Sequence, residues 1–239
     1  MENLFQEAKN LIADSKNIYI LSSPKWEESV TCALALFYTL KELNKNVNLM
    51  LEEVPERLKF LIPSLNYISY PRNFSLSIPN SKTEISQIRY EKNEQDLKVY
   101  LTIEKGNIKK SDISFCFVAP KADVLLTVGL KEFERESDND ILSSASIINI
   151  SNKEGASNFG LVNLIKPGYP LAQMLINFIK SINEGGFSNK NTNSALLASL
   201  IIFSDNFQNQ KTSPELLESA AFLIKKGAER QEILENLYK

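Results

Sequence analysis

Apolar and polar positions recur along this chain with two different periods, and the switches between them divide the sequence into blocks. Residues 2–14 place Leu4, Phe5, Ala8, Leu11 and Ile12 on one face at helical spacing. Asn17–Leu21 is short, β-rich and uncharged, and it runs into the polar turn Ser22-Ser23-Pro24-Lys25. A helical pattern follows from Glu27 to Leu43, and Asn46–Leu51 alternates as a second strand. Strand, turn, helix and strand within ~35 residues make a βαβ unit, which predicts a parallel sheet.

Between Tyr70 and Val118 the period becomes two. Phe74–Ile78, Ile85–Tyr90 and Leu97–Ile103 alternate, with polar or glycine-containing breaks between them. The pattern predicts an antiparallel β meander inserted into the α/β scaffold. Beyond it, Asp123–Val128 and Ile147–Ile150 are short apolar runs of the kind covered on both faces in a parallel sheet. The charge-rich stretch from Lys131 to Asp140 between them reads as solvated surface. The last third is helical. Leu171–Ile182 and Ser194–Ile202 flank a Gly185-Gly186 break, Ser213-Pro214-Glu215 opens a further helix that Lys225-Lys226-Gly227 closes, and Glu229–Tyr238 makes a terminal one. The expected architecture is one domain over residues 1–239: an α/β fold with a mainly parallel sheet flanked by helices, an antiparallel insert at 70–118 and a helical C-terminal third.

Composition narrows the chemistry. The 239 residues are 43% apolar and 23% charged, with 27 basic against 29 acidic side chains. A net charge of −2 does not support a protein that coats nucleic acid, which needs a clear surplus of Lys and Arg. There is no histidine, so Ser-His-Asp triads, Cys-His pairs and HExxH zinc sites are excluded. Only 5 of the basic residues are Arg, so bidentate clamps on phosphate or carboxylate are scarce. Cys32 and Cys116 lie in apolar runs and read as buried, reduced thiols. The N-terminus has no basic n-region, and no window approaches the ~20 apolar residues of a membrane span. The expected location is the cytoplasm, away from membranes.

In an open parallel sheet, ligands bind at the carboxyl ends of the strands. Those positions are Ser22–Glu28, Gly129-Leu130, Ser151–Lys153 and the helix-borne Phe203-Ser204-Asp205. They offer hydroxyls, two lysines, an asparagine and a few carboxylates, with no metal or triad spacing.

A resemblance emerges from scaffold positions. It runs through Ile18 to Leu51, with Cys32-Ala-Leu-Ala-Leu36 and Leu43-Asn-Lys45, then Ile148-Asn-Ile150, Asn158-Phe-Gly160 and Asn163. It resumes at Leu196-Leu197, Phe207, Thr212-Ser-Pro, Ala220-Ala221, Gly227-Ala228 and Leu237-Tyr238. In these residues the chain resembles the DHH phosphoesterase superfamily, which includes RecJ-type exonucleases, oligoribonucleases, cyclic-dinucleotide phosphodiesterases and pyrophosphatases. The likeness covers both ends of the chain and skips the β insert. It implies a dinuclear metal centre, usually manganese, that activates water and clamps the phosphoryl oxygens.

The family's ligand positions are nearly all substituted here. In its first motif, His-x-x-Pro-Asp-x-Asp, the His position holds Ser22, the two Asp positions hold Trp26 and Glu28, and the proline comes one place early at Pro24. The Asp of the next core strand is Gly129, the Asp-His-His signature falls on Ser151, Asn152 and Lys153, and the Asp of the fourth motif falls on Phe203. Only Glu28 among these is a good ligand for a hard cation. The resemblance therefore implies a degenerate member with a vestigial site, no catalytic residues and no metal, acting as a binding or interaction subunit. The partner is not specified; a second copy or an active paralogue fits. The family's C-terminal substrate-binding module, with its Gly-rich His-containing motif, is expected to be absent.

The alternative is a metal-dependent phosphodiesterase or exonuclease acting on short oligonucleotides or nucleotides, its ligands moved to Glu27, Glu28, Asp123 and Asp205. Within the first reading Trp26 is expected to plug the space left by metal and water, and Phe203 to be core. Glu27 and Glu28 are expected to serve the dipole of their own helix, and Lys153 to be a solvated loop lysine rather than a phosphate ligand. Trp26, Gly129, Ser151, Asn152, Lys153 and Phe203 should converge in one region.

Overall fold

The structure is a computed structural model that describes residues 2–23, 25–51, 54–62, 73–118, 120–134, 141–183 and 187–238. Pro24, Gly185-Gly186 and the end of the charge-rich stretch, 135–140, lie outside the described residues. Met1–Tyr70 with Lys121–Lys239 form one compact unit and Pro71–Pro120 a second.

The first unit opens with α1 (Glu2–Asp14), β1 (Asn17–Ser22), α2 (Glu27–Glu42), β2 (Asn46–Met50) and a 3-10 turn over Glu56–Leu61. The second unit holds β3 (Asn73–Ser77), β4 (Thr83–Lys92), β5 (Leu97–Gly106) and β6 (Ser114–Val118). The first unit continues with β7 (Val124–Val128), β8 (Ser146–Ser151), β9 (Val162–Ile165), α3 (Leu171–Ile182), α4 (Lys190–Ser204), α5 (Pro214–Lys225) and α6 (Arg230–Leu237).

Five strands form a wholly parallel sheet in the order β2-β1-β7-β8-β9. Every residue of β7 is buried, as expected for a strand covered on both faces. The register places Thr127, Asn149 and Asn163 side by side on β7, β8 and β9. Their side chains form a polar ladder inside the sheet: Thr127 donates to Asn149 Oδ1 at 3.1 Å, and Asn149 Nδ2 donates to Asn163 Oδ1 at 3.4 Å and to the Ser157 carbonyl at 3.1 Å. A buried amide with partners on both sides is tolerated where an unpaired one is costly.

The core is centred on α2, which is buried without interruption from Ser29 to Leu40. A helix apolar all round has to be enclosed, and the small residues Cys32, Ala33 and Ala35 let its neighbours come close. Against it lies α4, where Ser199 Oγ is 3.2 Å from Cys32 Sγ. Cys32 is a free buried thiol whose pKa burial pushes well up; the Cys116 side chain lies outside the described residues. Among the described residues no helix is long and apolar enough to cross a membrane.

The fold matches the α/β expectation, with three differences. β9, only four residues long, carries too little alternation to be recognised. α4 begins at Lys190 rather than Ser194, because the Asn189 side chain caps it through the Asn191 N–H at 2.9 Å. The insert is antiparallel but not a continuous meander: β4 pairs with β5, and β3 pairs with β6 across the intervening hairpin.

Candidate functional site

The turn between β1 and α2 places Trp26 at the N-cap position of α2, where its carbonyl accepts the Ser29 and Val30 N–H groups at 2.8 and 3.1 Å. The indole is thereby held outside the helix, and it remains 55% exposed. The loop after β8 brings Lys153 over it, with Nζ 3.5 Å from the ring centroid. An ammonium over an indole face is attracted by the ring quadrupole. Trp26 is thus not the buried plug expected from sequence: a lysine covers one face, and the ring is not packed into the core.

One residue deeper, Glu28 is tied down. Its Oε1 accepts the Leu171 N–H at 2.6 Å, and its two oxygens accept Asn152 Nδ2 at 3.3 and 3.1 Å. Leu171 is the first residue of α3, and Pro170 before it offers no capping side chain. Glu28 therefore caps the positive end of α3, not that of its own helix as expected. Burial pushes the Glu28 carboxyl above its ordinary value, against the lowering effects of Leu171, Asn152, Lys153 and Lys211. The Lys153 ammonium is pushed down by burial and held up by Glu28. Asn152 Nδ2 also donates to the Tyr169 carbonyl at 3.0 Å, while its buried Oδ1 has no partner among the described residues.

Trp26, Glu28, Asn152, Lys153 and Phe203 line one cleft of about 500 Å³, together with Lys25 and Lys211. A neighbouring hollow of about 370 Å³ shares Trp26 and Lys153 and includes Gly129. Ser22 and Ser151 line neither. Ser22 is buried, with no partner for its hydroxyl among the described residues. Ser151 donates to the Leu130 carbonyl at 2.6 Å and accepts the Lys153 N–H at 3.3 Å, which fixes the loop carrying Lys153. Phe203 is only partly core: it packs on the hydrophobic cluster and also faces the cleft, where Lys211 Nζ stands 5.1 Å from its ring centroid.

Lys25 lies within the Ser22–Glu28 segment expected at the strand ends, whereas Lys211 was not expected at this cleft. Lys211 reaches it through a left-handed turn after α4, in which Asp205, Asn206 and Phe207 all have positive φ (48, 52 and 65°). The buried Ser204 hydroxyl accepts the Phe207 N–H at 3.1 Å and steadies that turn. Asp and Asn tolerate this conformation, but an aromatic rarely adopts it, so the sequence carries little signal for it.

The four carboxylates of the alternative reading are not brought together. Glu27 is ion-paired with Arg57, which also donates to the Leu237 carbonyl at 3.4 Å. Asp123 precedes β7 at the amino end of the strands, where its Oδ2 accepts the Lys16 and Asn17 N–H groups at 2.8 and 2.7 Å. Asp205 is the left-handed C-cap of α4 and does not line the cleft. Among the described residues no three Asp, Glu or Cys side chains lie close enough to share a metal ion. A dinuclear manganese centre needs a shell of hard oxygen donors. The donors lining the cleft are the Asn152 amide and the carboxylates of Glu27, Glu28 and Glu154, beside three ammonium groups and two aromatic rings. Glu27 is held by Arg57 and Glu28 by the head of α3, and this set does not fit that centre.

No family model matches the sequence, and no curated protein matches it. Among solved structures, the chain is similar in fold to an exopolyphosphatase-related protein from Bacteroides fragilis. The TM-score is 0.68 with 13% sequence identity, over 100% of this chain and 61% of that one. At that identity the likeness establishes the α/β fold; the chain spans 61% of the length of the protein it matches.

Proposed function

We propose that this chain is a degenerate relative of the DHH phosphoesterases whose cleft binds a phosphate-bearing ligand without cleaving it. The observation that carries this reading is the Lys153 ammonium held over Trp26, at a position that the resemblance aligns with a metal ligand. A lysine can supply positive charge to a phosphate, but it cannot lower the pKa of a water or present two ions to an in-line attack. Lys25 and Lys211 add two more ammonium groups to the lining of the cleft, against the acids Glu27, Glu28 and Glu154. Two of the acids there are already engaged, Glu27 by Arg57 and Glu28 by the head of α3. The name of the Bacteroides fragilis protein favours condensed phosphates as the first ligands to try.

The test uses purified protein with tripolyphosphate, in EDTA and in manganese. Saturable binding that persists in EDTA, with no phosphate released under either condition, is the expected result. Manganese should leave the melting temperature unchanged, since a metal bound only by the folded state would raise it. Manganese-dependent hydrolysis that disappears in a Glu27→Ala/Glu28→Ala variant would overturn the proposal in favour of the relocated-ligand enzyme.

A further inference from the structure

The β4–β5 ladder of the second unit is a two-stranded ribbon with an apolar face. Direct cross-strand partners share a face, and the register pairs Ile88 with Leu101, Tyr90 with Val99 and Lys92 with Leu97. Ile88 and Tyr90 are each 72% exposed, Leu97 is 61% and Val99 50% exposed. A ribbon of two strands is marginal in water, and three or more strands on an apolar face are needed for independent stability. Among the described residues no third strand pairs with either edge.

The sequence of β5 is complementary to itself when reversed. If a second β5 runs antiparallel with Leu101 opposite Leu101, Tyr100 meets Thr102, Val99 meets Ile103 and Lys98 meets Glu104. Each of the last three pairs occurs twice by symmetry, so one interface gains two apolar pairs and two ion pairs. Glu104 is available for this, and Lys98 would exchange an exposed 3.6 Å contact with Asp96 for it. The register of the hairpin skips Glu104, which has no ion pair among the described residues, whereas Glu84 is already bridged to Lys105. The same operation on β4 about Ile88 also sets Glu84 against Lys92, but Glu84 is already bridged to Lys105, and Ile85 then faces Glu91 and Ser86 faces Tyr90, so no apolar pair flanks the centre. We infer that the β5 edge is a self-association site, at which a second copy of this chain adds its own hairpin to make a four-stranded antiparallel sheet, β4-β5-β5-β4. Leu97, Val99, Leu101, Ile88 and Tyr90 of both copies then form one continuous apolar face. This inference is independent of the cleft.

The experiment is a charge swap on the full-length chain, with mass in solution read by sedimentation and light scattering at micromolar concentration. The parent should be a dimer. Lys98→Glu and Glu104→Lys each turn both symmetric ion pairs into like-charge contacts, and each should weaken the dimer by about tenfold or more. The double variant K98E/E104K restores opposite charges in the same register and should recover the parent's association. Circular dichroism and melting temperature confirm that each variant is folded. A monomeric parent would overturn the inference, since the hairpin face would then be covered by another partner or by none. A dimer indifferent to the single reversals, or one that both reversals disrupt and the swap fails to restore, would overturn it equally.

Discussion

The Lys153 ammonium lies 3.5 Å from the centroid of the Trp26 ring, joining the loop after β8 to the turn before α2 across the mouth of the cleft. Trp26 is the chain's one tryptophan, so fluorescence excited at the red edge, where the eight tyrosines do not absorb, reports on the surroundings of this ring. Lys153→Met keeps the length of the side chain and removes its charge. The emission intensity or maximum should change, while the melting temperature falls by only a few degrees, because a half-exposed cation–π contact contributes about 0.5–1 kcal/mol. The fluorescence response to tripolyphosphate should weaken or vanish in the same variant. Identical spectra for parent and variant would mean that ring and ammonium do not meet in solution.

Glu28 makes stability depend on pH in the opposite sense to most paired carboxylates. Burial raises its pKa in the folded chain above the ordinary 4.5. Below 4.5 the group is protonated both folded and unfolded and contributes no pH dependence. As the pH rises from there through the raised folded value, the unfolded chain loses its proton first, and stability falls until the folded group has ionised as well. Glu28→Gln removes that fall. Its oxygen still accepts the Leu171 N–H, and its amide can donate to Asn152 Oδ1, which has no partner among the described residues. In urea unfolding, Glu28→Gln should gain on the parent as the pH goes from about 4 to 7. Glu28→Ala strips the cap from α3 and should be less stable by about 1 kcal/mol throughout. A Gln variant that loses ground over that pH range would show that the ionised carboxylate is favoured in the folded chain.

The scaffold was legible wherever the apolar period was long and sharply bounded. Leu171–Ile182 and the Ser213-Pro214 start of α5 are found where pattern and capping chemistry place them. The pairing of β3 with β6 was not legible, because a ladder closed across an intervening hairpin leaves no local trace in either strand. At the cleft, the resemblance named five side chains that do line one wall, since a shared fold carries distant loops to the same strand ends. What those side chains do was less accessible. Glu28 looks like an ordinary first-turn acid of α2, and only the three-dimensional approach of α3 makes it a cap for another helix. Lys211 depends on three successive left-handed residues, one of them Phe207, which no propensity anticipates.

Gly129 follows β7 where the resembled family carries an Asp, and its backbone explains why a side chain is excluded here. Its φ is +67°, and an ideal Cβ would lie 1.8 Å from Ser29 Oγ and 2.8 Å from Ser29 Cβ. Rotating Ser29 can move the oxygen away but not the Cβ, which belongs to the first turn of α2. Gly129→Ala therefore combines a left-handed penalty of about 1–2 kcal/mol with a steric overlap that must shift the helix. A loss of about 3 kcal/mol or more is expected in urea unfolding. Ser29→Gly in the same chain removes both overlapping atoms and gives up no hydrogen bond, since Ser29 Oγ is unpartnered among the described residues. It leaves the φ penalty and adds about 0.5–1 kcal/mol for a glycine in a helix. The double variant should thus be more stable than the sum of the single losses by about 1–3 kcal/mol, the coupling expected of two residues competing for one space. Gly129→Asp meets the same backbone and the same overlap, so it should unfold at least as readily as Gly129→Ala. A Gly129→Asp protein as stable as the parent would mean that the β7 end accepts a carboxylate, and a metal ligand there would then be one substitution away.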